Sequence, residues 1–246
     1  MPQSLSPDDV MKTPRRLGVL GGMGPLATAD FMAKLVVGTP AATDQEHIPV
    51  VVYSVPQVPD RANAILTEGA SSPVPAMAEG LRTLETAGVD GIAIPCVTAH
   101  YWYAELCGCV SLPILHITDA TDAMLKSRGA GQAKIGLLGT AGTLKGGHVK
   151  KQLADYGYDV ILPSDVELSM HVLPAIAAVK AGELDAALVH GLRAVDAMLQ
   201  QNVEQVVLAC TELPSALALG SAEVRKKCLD TVDALAQYCV RWATAP

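Results

Sequence analysis

The chain has 246 residues, of which half are hydrophobic and 17% charged, so one or two domains can bury a large core. Its net charge of −7, with no basic patch, argues against nucleic acid or an anionic membrane surface as a partner. No apolar run reaches the roughly 20 residues that a membrane span needs.

The first residues, MPQSLSPDDVMKTPRR, are polar and contain three of the chain's prolines, and no apolar segment follows them. We therefore expect residues 1–15 to form a flexible arm rather than a signal peptide. A chain without an export signal is expected to be cytoplasmic.

Short apolar runs alternate with longer helical patterns along the rest of the chain. The runs predict strands over Leu17–Gly21, Ile48–Tyr53, Gly91–Pro95, Ile135–Gly139, Val160–Leu162 and Val206–Ala209. The patterns predict helices over Pro25–Val37, Val74–Ala87, Ala120–Lys126, Gly146–Tyr156, Glu167–Val179, Leu184–Asn202 and Glu223–Trp242. Several runs are apolar throughout, as in strands that are buried on both faces. The alternation predicts an α/β fold with parallel sheets.

The chain also repeats parts of its sequence. Arg16–Gly21 resembles Lys134–Gly139 at an offset of 118 residues, and Val89–Thr98 resembles Val203–Glu212 at an offset of 114. Two matches at nearly one offset predict a duplicated α/β unit, although unrelated α/β segments can also share strand and turn sequences by chance. Ligands bind beyond the carboxyl ends of parallel strands, so two such units would form a site in the cleft between them.

The second match places Cys96 and Cys210 at equivalent positions, each after a strand and before a helix start. Inversion of an α-carbon requires a base on one face and an acid on the other, and a thiol and a thiolate can exchange these functions. Amide groups at a helix N-terminus favour the thiolate. Alternatively, both are buried structural cysteines, which are common. We interpret the other four cysteines as structural, with Cys228 and Cys239 in a helical pattern.

Disulfides and metal ligation are not expected from the cysteines. A reducing compartment disfavours disulfides. A zinc site usually has two residues between paired cysteines, whereas only Cys107 and Cys109 lie close together, with one residue between them. The segment Gly22–Ala27 fits a dinucleotide-binding pattern, but Pro25 stiffens its turn and the second strand lacks an acidic residue at its tip. We therefore expect no nicotinamide cofactor.

Four blocks of sequence together indicate a family. They are Gly21–Thr28 (GGMGPLAT), Pro59–Arg61 (PDR), Pro95–His100 (PCVTAH) and Ala209–Leu213 (ACTEL). They resemble the aspartate/glutamate racemase superfamily, in the family's order, and most of all its aspartate racemase branch. Glutamate racemases typically carry His after the second Cys-Thr pair, where this chain has Glu212.

The resemblance implies two similar Rossmann-like domains with parallel sheets, related by pseudo-two-fold symmetry, and an active site in the cleft between them. It also implies a homodimer, an acidic amino acid as substrate and no pyridoxal phosphate or other cofactor. We predict a first domain of residues 16–116 completed by residues 221–246, and a second domain of residues 117–220.

The resemblance also assigns functions to individual residues. Cys96 and Cys210 match the two bases of the family. Arg61 matches the arginine that binds the side-chain carboxylate of the substrate, and Lys180 stands where a lysine shares that task. The residues expected to bind the rest of the substrate are Met23, Thr98, Thr140, Thr143 and Thr211.

Each of these residues also has an ordinary structural interpretation. Arg61 follows a possible N-cap, Asp60, Lys180 lies near a helix end, and threonines are common in turns and caps. Glu212 is expected to orient Cys210 or to cap the next helix. His100 is expected to support Cys96 or to lie on a helix surface.

One position departs from the family pattern. The first cysteine is normally followed by Asn, and this chain has Val97, whose side chain can neither donate nor accept a hydrogen bond. Either a threonine compensates, or the substrate is not aspartate, or activity is weak. The alternative functions are a glutamate or broad-specificity racemase, a maleate-isomerase-like or hydantoin-racemase-like enzyme, and a catalytically silent amino-acid-binding protein.

Overall fold

A computed structural model describes residues 14–245, and nearly all of the predicted N-terminal arm lies outside the described residues. The strands of the first sheet are β1 (Leu17–Gly21), β2 (Val50–Ser54), β3 (Gly91–Ala93) and β4 (Ile114–Leu115). The strands of the second are β5 (Lys134–Gly139), β6 (Asp159–Ile161), β7 (Gln205–Ala209) and β8 (Cys228–Asp230). Every pairing in both sheets is parallel.

The strand orders are β2-β1-β3-β4 and β6-β5-β7-β8, so the second sheet repeats the topology of the first. The predicted α/β fold with two similar parallel sheets is confirmed. The segments Leu17–Gly21 and Lys134–Gly139, which begin the internal repeat, are the equivalent strands β1 and β5. Both are almost entirely buried, as expected for parallel strands covered on both faces.

Helices connect the strands and cover the sheets. The first half contains α1 (Pro25–Gly38), α2 (Arg61–Leu66), α3 (Val74–Thr86) and α4 (Tyr103–Cys107), with 3₁₀ turns at Asp44–Glu46 and Thr98–Trp102. The second half contains α5 (Ile117–Ser127), α6 (Ala141–Gly146), α7 (His148–Asp155), α8 (Asp165–Glu167), a π-helical turn (Leu168–Val172), α9 (Leu173–Ala181), α10 (Leu184–Leu199), α11 (Glu212–Ala216), α12 (Ala222–Lys227) and α13 (Thr231–Thr244). Within residues 14–245, no helix is long and apolar enough to cross a membrane.

The turn after β1 brings the start of α1 to the edge of the first sheet. Gly22 adopts φ +90°, and a Cβ atom there would lie 2.3 Å from the backbone nitrogen of Val55. Only glycine fits this conformation and this close approach without strain. The hydroxyl of Thr28 accepts a hydrogen bond from the Gly22 amide at 2.9 Å and donates to the Gly24 carbonyl at 3.0 Å, which stabilises the turn.

The predicted helix over Glu223–Trp242 is wrong, because the strand β8 interrupts it. Cys228 therefore lies in a strand and not in a helix, and it pairs with Val206 of β7. Asp230 ends the strand and caps α13, since its carboxylate accepts hydrogen bonds from the first amides of that helix. Residues 228–230 thus belong to the second sheet, which corrects the prediction that all of 221–246 completes the first domain.

The last helix, α13, packs against α1 of the first half and against α5. An ion-pair cluster adds to this contact between the halves. Lys34 on α1 contacts Asp30 of its own helix and lies 2.6 Å from Asp230 at the start of α13. Asp230 is largely buried, so its carboxylate depends on this partner.

Candidate active site

Cys96 and Cys210 line one cavity of about 140 Å³, although they belong to different sheets. Cys96 lies just beyond β3 and Cys210 immediately follows β7, so each is at the carboxyl end of an equivalent strand. Both are buried. The rest of the wall is formed by Met23, Gly24, Asp60, Arg61, Ala62, Val97, Thr98, Thr140, Lys180, Ala209, Thr211 and Glu212.

The turn that carries Cys96 is tightly bonded. The Cys96 amide donates to the Ile94 carbonyl at 2.8 Å, and the Cys96 carbonyl accepts from the Ala99 amide at 3.2 Å. Burial raises the pKa of the Cys96 thiol, whereas the Arg61 guanidinium and the Ala99 amide oppose that rise because both stabilise a thiolate. The charge of Arg61 and the Ala99 amide of the turn thus both favour the Cys96 thiolate.

The surroundings of Cys210 have the opposite charge. Its thiol donates a hydrogen bond to Oε2 of Glu212 at 2.9 Å, and the Thr211 hydroxyl donates to the same oxygen at 3.0 Å. Burial and then the Glu212 carboxylate raise the pKa of Cys210 well above its ordinary value. The Glu212 amide and the Lys180 ammonium oppose this rise more weakly.

The predicted carboxylate-binding cations both reach the cavity. One terminal nitrogen of Arg61 donates to the carbonyls of Val58 and Pro59 at 3.1 and 3.2 Å, which fixes the guanidinium. Its Nε is buried and has no hydrogen-bond partner within residues 14–245. Lys180 is more exposed, and its Nζ lies 3.9 Å from Oε1 of Glu212. A second cavity of about 330 Å³ shares Arg61 and Lys180 with the first and lies towards the start of α1.

Three of the predicted threonines form a hydroxyl cluster across the two halves. The Thr98 hydroxyl lies 2.8 Å from that of Thr143 and 3.3 Å from that of Thr140, and the last two are 3.1 Å apart. Thr140 also caps α6. Thr98 and Thr140 line the cavity, but Thr143 is completely buried behind them. Direct substrate contact by Thr143, as predicted, does not fit this position.

Val97 and His100 lie on the buried side of the same turn. Val97 lines the cavity and also packs into the main core. His100 is neither on a helix surface nor in the cavity wall, because its buried ring donates from Nε2 to the Ile94 carbonyl at 3.1 Å. Burial lowers the pKa of His100 well below its ordinary value, and the neighbouring His116 adds to this. His100 therefore contacts the backbone that precedes Cys96 rather than its thiol.

His148, which the sequence analysis did not select, contacts the other side of this turn. It begins α7 in the second half of the chain, and its Nε2 lies 3.2 Å from the Val97 carbonyl. No local motif predicts a bond to a backbone carbonyl 51 residues away. Among residues 14–245, no cluster of three or more His, Cys, Asp or Glu side chains could hold a metal ion.

Comparisons with known proteins identify the family of this chain. The family model for Asp/Glu/hydantoin racemase matches residues 20–239. The chain is 29% identical over 212 residues to the broad specificity amino-acid racemase RacX of Bacillus subtilis (strain 168). The aligned region covers 85% of this chain and 90% of that protein. The structure of Picrophilus torridus aspartate racemase is 32% identical, has a TM-score of 0.79, and matches 93% of this chain and 94% of its own.

A more distant structure agrees in fold alone. The glutamate racemase from Francisella tularensis subsp. tularensis SCHU S4, in complex with D-glutamate, is 14% identical with a TM-score of 0.64, covering 92% of this chain and 80% of that one. The family that the four sequence blocks predict is confirmed. The chain belongs to the Asp/Glu/hydantoin racemase family and is an amino-acid racemase.

Proposed function

We propose that this racemase needs no cofactor and that Cys96 and Cys210 are its two bases, acting on opposite faces of the α-carbon of an acidic amino acid. The observation that supports this most directly is that both thiols line one cavity, each at the carboxyl end of a strand in a different sheet. One base serves only one face of the α-carbon well, so inversion requires two opposed groups.

The neighbours of the two thiols favour different resting states. Burial raises the pKa of both, but Arg61 opposes the rise at Cys96, whereas Glu212 increases it at Cys210. Of the two thiols, Cys96 therefore loses its proton more readily, so we assign the base to Cys96 and the acid to Cys210. Cys96 then removes the α-proton while Cys210 delivers its own proton to the other face.

One turnover leaves Cys96 protonated and Cys210 as the thiolate, which is the form that accepts the opposite enantiomer. Because the Glu212 carboxylate lies beside Cys210, this form is the less stable of the two. The proton must return from Cys96 to Cys210 before another turnover in the same direction. Enantiomers have equal free energies, so both forms take part at equilibrium.

Aspartate is the substrate that we propose. Arg61 offers a planar pair of donors to a side-chain carboxylate, and Lys180 adds a point charge beside it. The hydroxyls of Thr98, Thr140 and Thr211 lie near the thiols and would bind the α-carboxylate and the ammonium group. Preorganised donors at the α-carboxylate stabilise the carbanion. The similarity to the Picrophilus torridus aspartate racemase also favours this substrate.

A wider substrate range is the second candidate. The adjoining cavity of about 330 Å³ shares Arg61 and Lys180 with the thiol cavity, and much of its wall is apolar, with Leu26 and Val179. A side chain longer than that of aspartate could extend into it. Val97 also leaves the thiol cavity with one polar side chain fewer than the Asn of the family pattern provides. The similarity to a broad-specificity racemase also favours a wider substrate range.

Exchange of the α-proton in D₂O, followed by proton NMR, tests the proposal. L-Asp, D-Asp, L-Glu and D-Glu are offered separately without added pyridoxal phosphate, to the parent protein and to Cys96→Ser and Cys210→Ser. Cys228→Ser is the matched control, because all three cysteines are 6% exposed and Cys228 lies outside the cavity.

We expect exchange and inversion with aspartate, and a loss of about 10²–10⁴-fold in either cavity variant, as is typical when a general acid or base is removed. Cys228→Ser should retain its rate. Inversion that survives both cavity substitutions would exclude the two-cysteine mechanism. Exchange with glutamate as fast as with aspartate would favour the wider substrate range, and no exchange with any of the four would refute an acidic substrate.

The proposal includes a homodimer, which the family resemblance predicts, and a cytoplasmic location. Sedimentation of the purified protein over a concentration range tests the first, since a monomer at all concentrations would exclude a stable dimer. Fractionation of the cells that make it tests the second.

A further inference from the structure

Two imidazole rings hold the turn that carries Cys96, one on each side of the cysteine. His100 donates from Nε2 to the carbonyl of Ile94, two residues before Cys96, at 3.1 Å. His148 lies 3.2 Å from the carbonyl of Val97, one residue after it. A carbonyl oxygen only accepts, so each Nε2 carries the hydrogen. His100 belongs to the turn itself, whereas His148 comes from α7 in the other half of the chain.

The bond from His148 holds the peptide that directly follows Cys96. The Val97 carbonyl also accepts the His100 amide at 3.1 Å and so belongs to the first turn of the 3₁₀ segment. The amide of Ala99, the residue before His100, favours a Cys96 thiolate, as Arg61 does. A shift of the Val97 peptide would therefore move the sulfur relative to both groups, and a bond to an N–H weakens steeply with misalignment.

His148 has the protonation state that this function requires. Burial lowers its pKa, and the Val97 carbonyl only partly opposes that effect. Its Nδ1 is buried and has no hydrogen-bond partner within residues 14–245, so the neutral ring with hydrogen on Nε2 fits the site. The ring of Tyr101 packs edge-on against the imidazole at 5.6 Å and fixes its orientation.

We propose that His148 is a positioning residue for Cys96, which holds the cysteine's turn from the opposite half of the molecule so that the sulfur faces Arg61 and the Ala99 amide. It would not touch the substrate, because it does not line the cavity. The inference rests on the proposed function, in which Cys96 is the base of the free enzyme. The Cys96 thiolate is then best stabilised only when the two halves are in contact.

Alkylation by iodoacetamide over a pH range tests this without requiring activity. The modified fraction of Cys96 is measured on its own peptide by mass spectrometry, with Cys210 in the same sample as the internal reference. The variants are His148→Leu, which removes the donor, and His148→Gln, whose side-chain amide can replace Nε2. His190→Leu is the matched control, because His190 is also half-buried with a buried Nδ1 but lies on α10, where it packs against His171.

In His148→Leu we expect the midpoint of the pH profile of Cys96 alkylation to rise by about one pH unit. At a given pH below the midpoint, the thiolate fraction of Cys96 is then about tenfold smaller. The placement of the sulfur relative to Arg61 and the Ala99 amide is lost, while burial, which the whole cavity wall determines, changes less. The Cys210 profile should not move, His148→Gln should restore the parent midpoint, and His190→Leu should leave both unchanged. For racemisation, we expect kcat to fall about tenfold in His148→Leu with KM within twofold.

An unchanged Cys96 midpoint together with a lower unfolding temperature would show that His148 only supports the fold. Equal shifts at Cys96 and Cys210 would indicate general loosening, and a shift in His148→Gln as large as in His148→Leu would exclude the N–H bond as the cause. If the Leu variant does not fold, His148→Asn, whose amide is too short to reach Val97, replaces it. A parent protein without α-proton exchange but with these alkylation shifts would refute the proposed function and not the positioning.

Discussion

A single methyl group at Gly142 tests whether the contact between α2 and α6 positions Arg61. Gly142 is buried in α6, and α2 begins at Arg61 in the other half of the chain. A Cβ atom built at Gly142 would lie 2.6 Å from Cα and 2.9 Å from Cβ of Ala62. Because carbon atoms in contact are about 3.5–4.0 Å apart, Gly142→Ala must separate the helices by about 1 Å.

The expected magnitudes follow from that displacement. Alanine is favoured over glycine inside a helix by about 1 kcal/mol, and overpacking a buried contact costs about 1–3 kcal/mol. The net loss is at most about 2 kcal/mol, which lowers Tm by about 8 °C or less in a chain of this size. A misplacement of about 1 Å in a substrate-binding group can cost about 10²-fold in rate, so kcat/KM should fall far more than stability does.

The assay compares kcat/KM for α-proton exchange with the thermal unfolding of the same preparations. Gly131→Ala is the control, because a Cβ atom there meets no atom within 4 Å. Adding Ala62→Gly removes only the Cβ contact and leaves the closer one with Cα, so the double variant should recover part of the activity. If Gly142→Ala keeps kcat/KM within threefold of the parent while Tm falls, the contact supports the fold and does not position Arg61.

Three further predictions concern Glu212 and Thr98 of the cavity wall and the buried His116 that caps α5. The Glu212 carboxylate is the second largest cause, behind burial, of the raised pKa of Cys210. Glu212→Gln removes this charge, so Cys210 should react with iodoacetamide at lower pH, and an unchanged pH profile of alkylation would contradict this. Burial lowers the pKa of His116 to about 4 in the folded state. As the pH falls from about 6.5 to 4, the unfolded state binds a proton at His116 that the folded state does not, so about 3 kcal/mol of stability should be lost. Urea unfolding at several pH values should show this loss, and His116→Asn, which can still cap α5, should reduce it. Thr98→Val removes the 2.8 Å contact with the Thr143 hydroxyl and should cost about 1 kcal/mol in urea unfolding, whereas Thr98→Ser should cost less; equal losses would show that methyl packing matters more than the bond.

Local pattern and internal repetition were enough to predict the strands that form the centre of each sheet. The run Leu17–Gly21 is apolar throughout and is bounded by a glycine-rich turn, and it forms β1 to the residue. The run that repeats it forms β5 with one residue added. Such strands are buried on both faces, so their continuous hydrophobicity is a physical requirement of the fold.

The strand β8 could not be predicted in the same way. A segment of three residues is too short to show a period of two, and helix-forming residues flank it on both sides. Its conformation depends on pairing with β7, where Val206 is opposite Cys228, more than 20 residues distant along the chain. A pairing between distant segments overrides local preference in short strands.

Much of the candidate site was predictable because its residues follow strand ends in recognisable blocks. Cys96, Cys210, Arg61 and Glu212 are examples, and all four line the cavity. His148 was missed because it contacts a backbone carbonyl, and a carbonyl is present at every residue and leaves no mark in the sequence.

The repeat explains why two thiols meet in one cavity, and its divergence explains why they differ. Cys96-Val97-Thr98 in the first unit corresponds to Cys210-Thr211-Glu212 in the second. Thr98 keeps a neutral hydroxyl that contacts the threonines of the opposite half, whereas at the equivalent position the Glu212 carboxylate accepts a hydrogen bond from the neighbouring thiol. Symmetry in the backbone would supply a group to each face of an α-carbon. The charge difference at this one pair of positions would decide which thiol holds the proton before the substrate arrives.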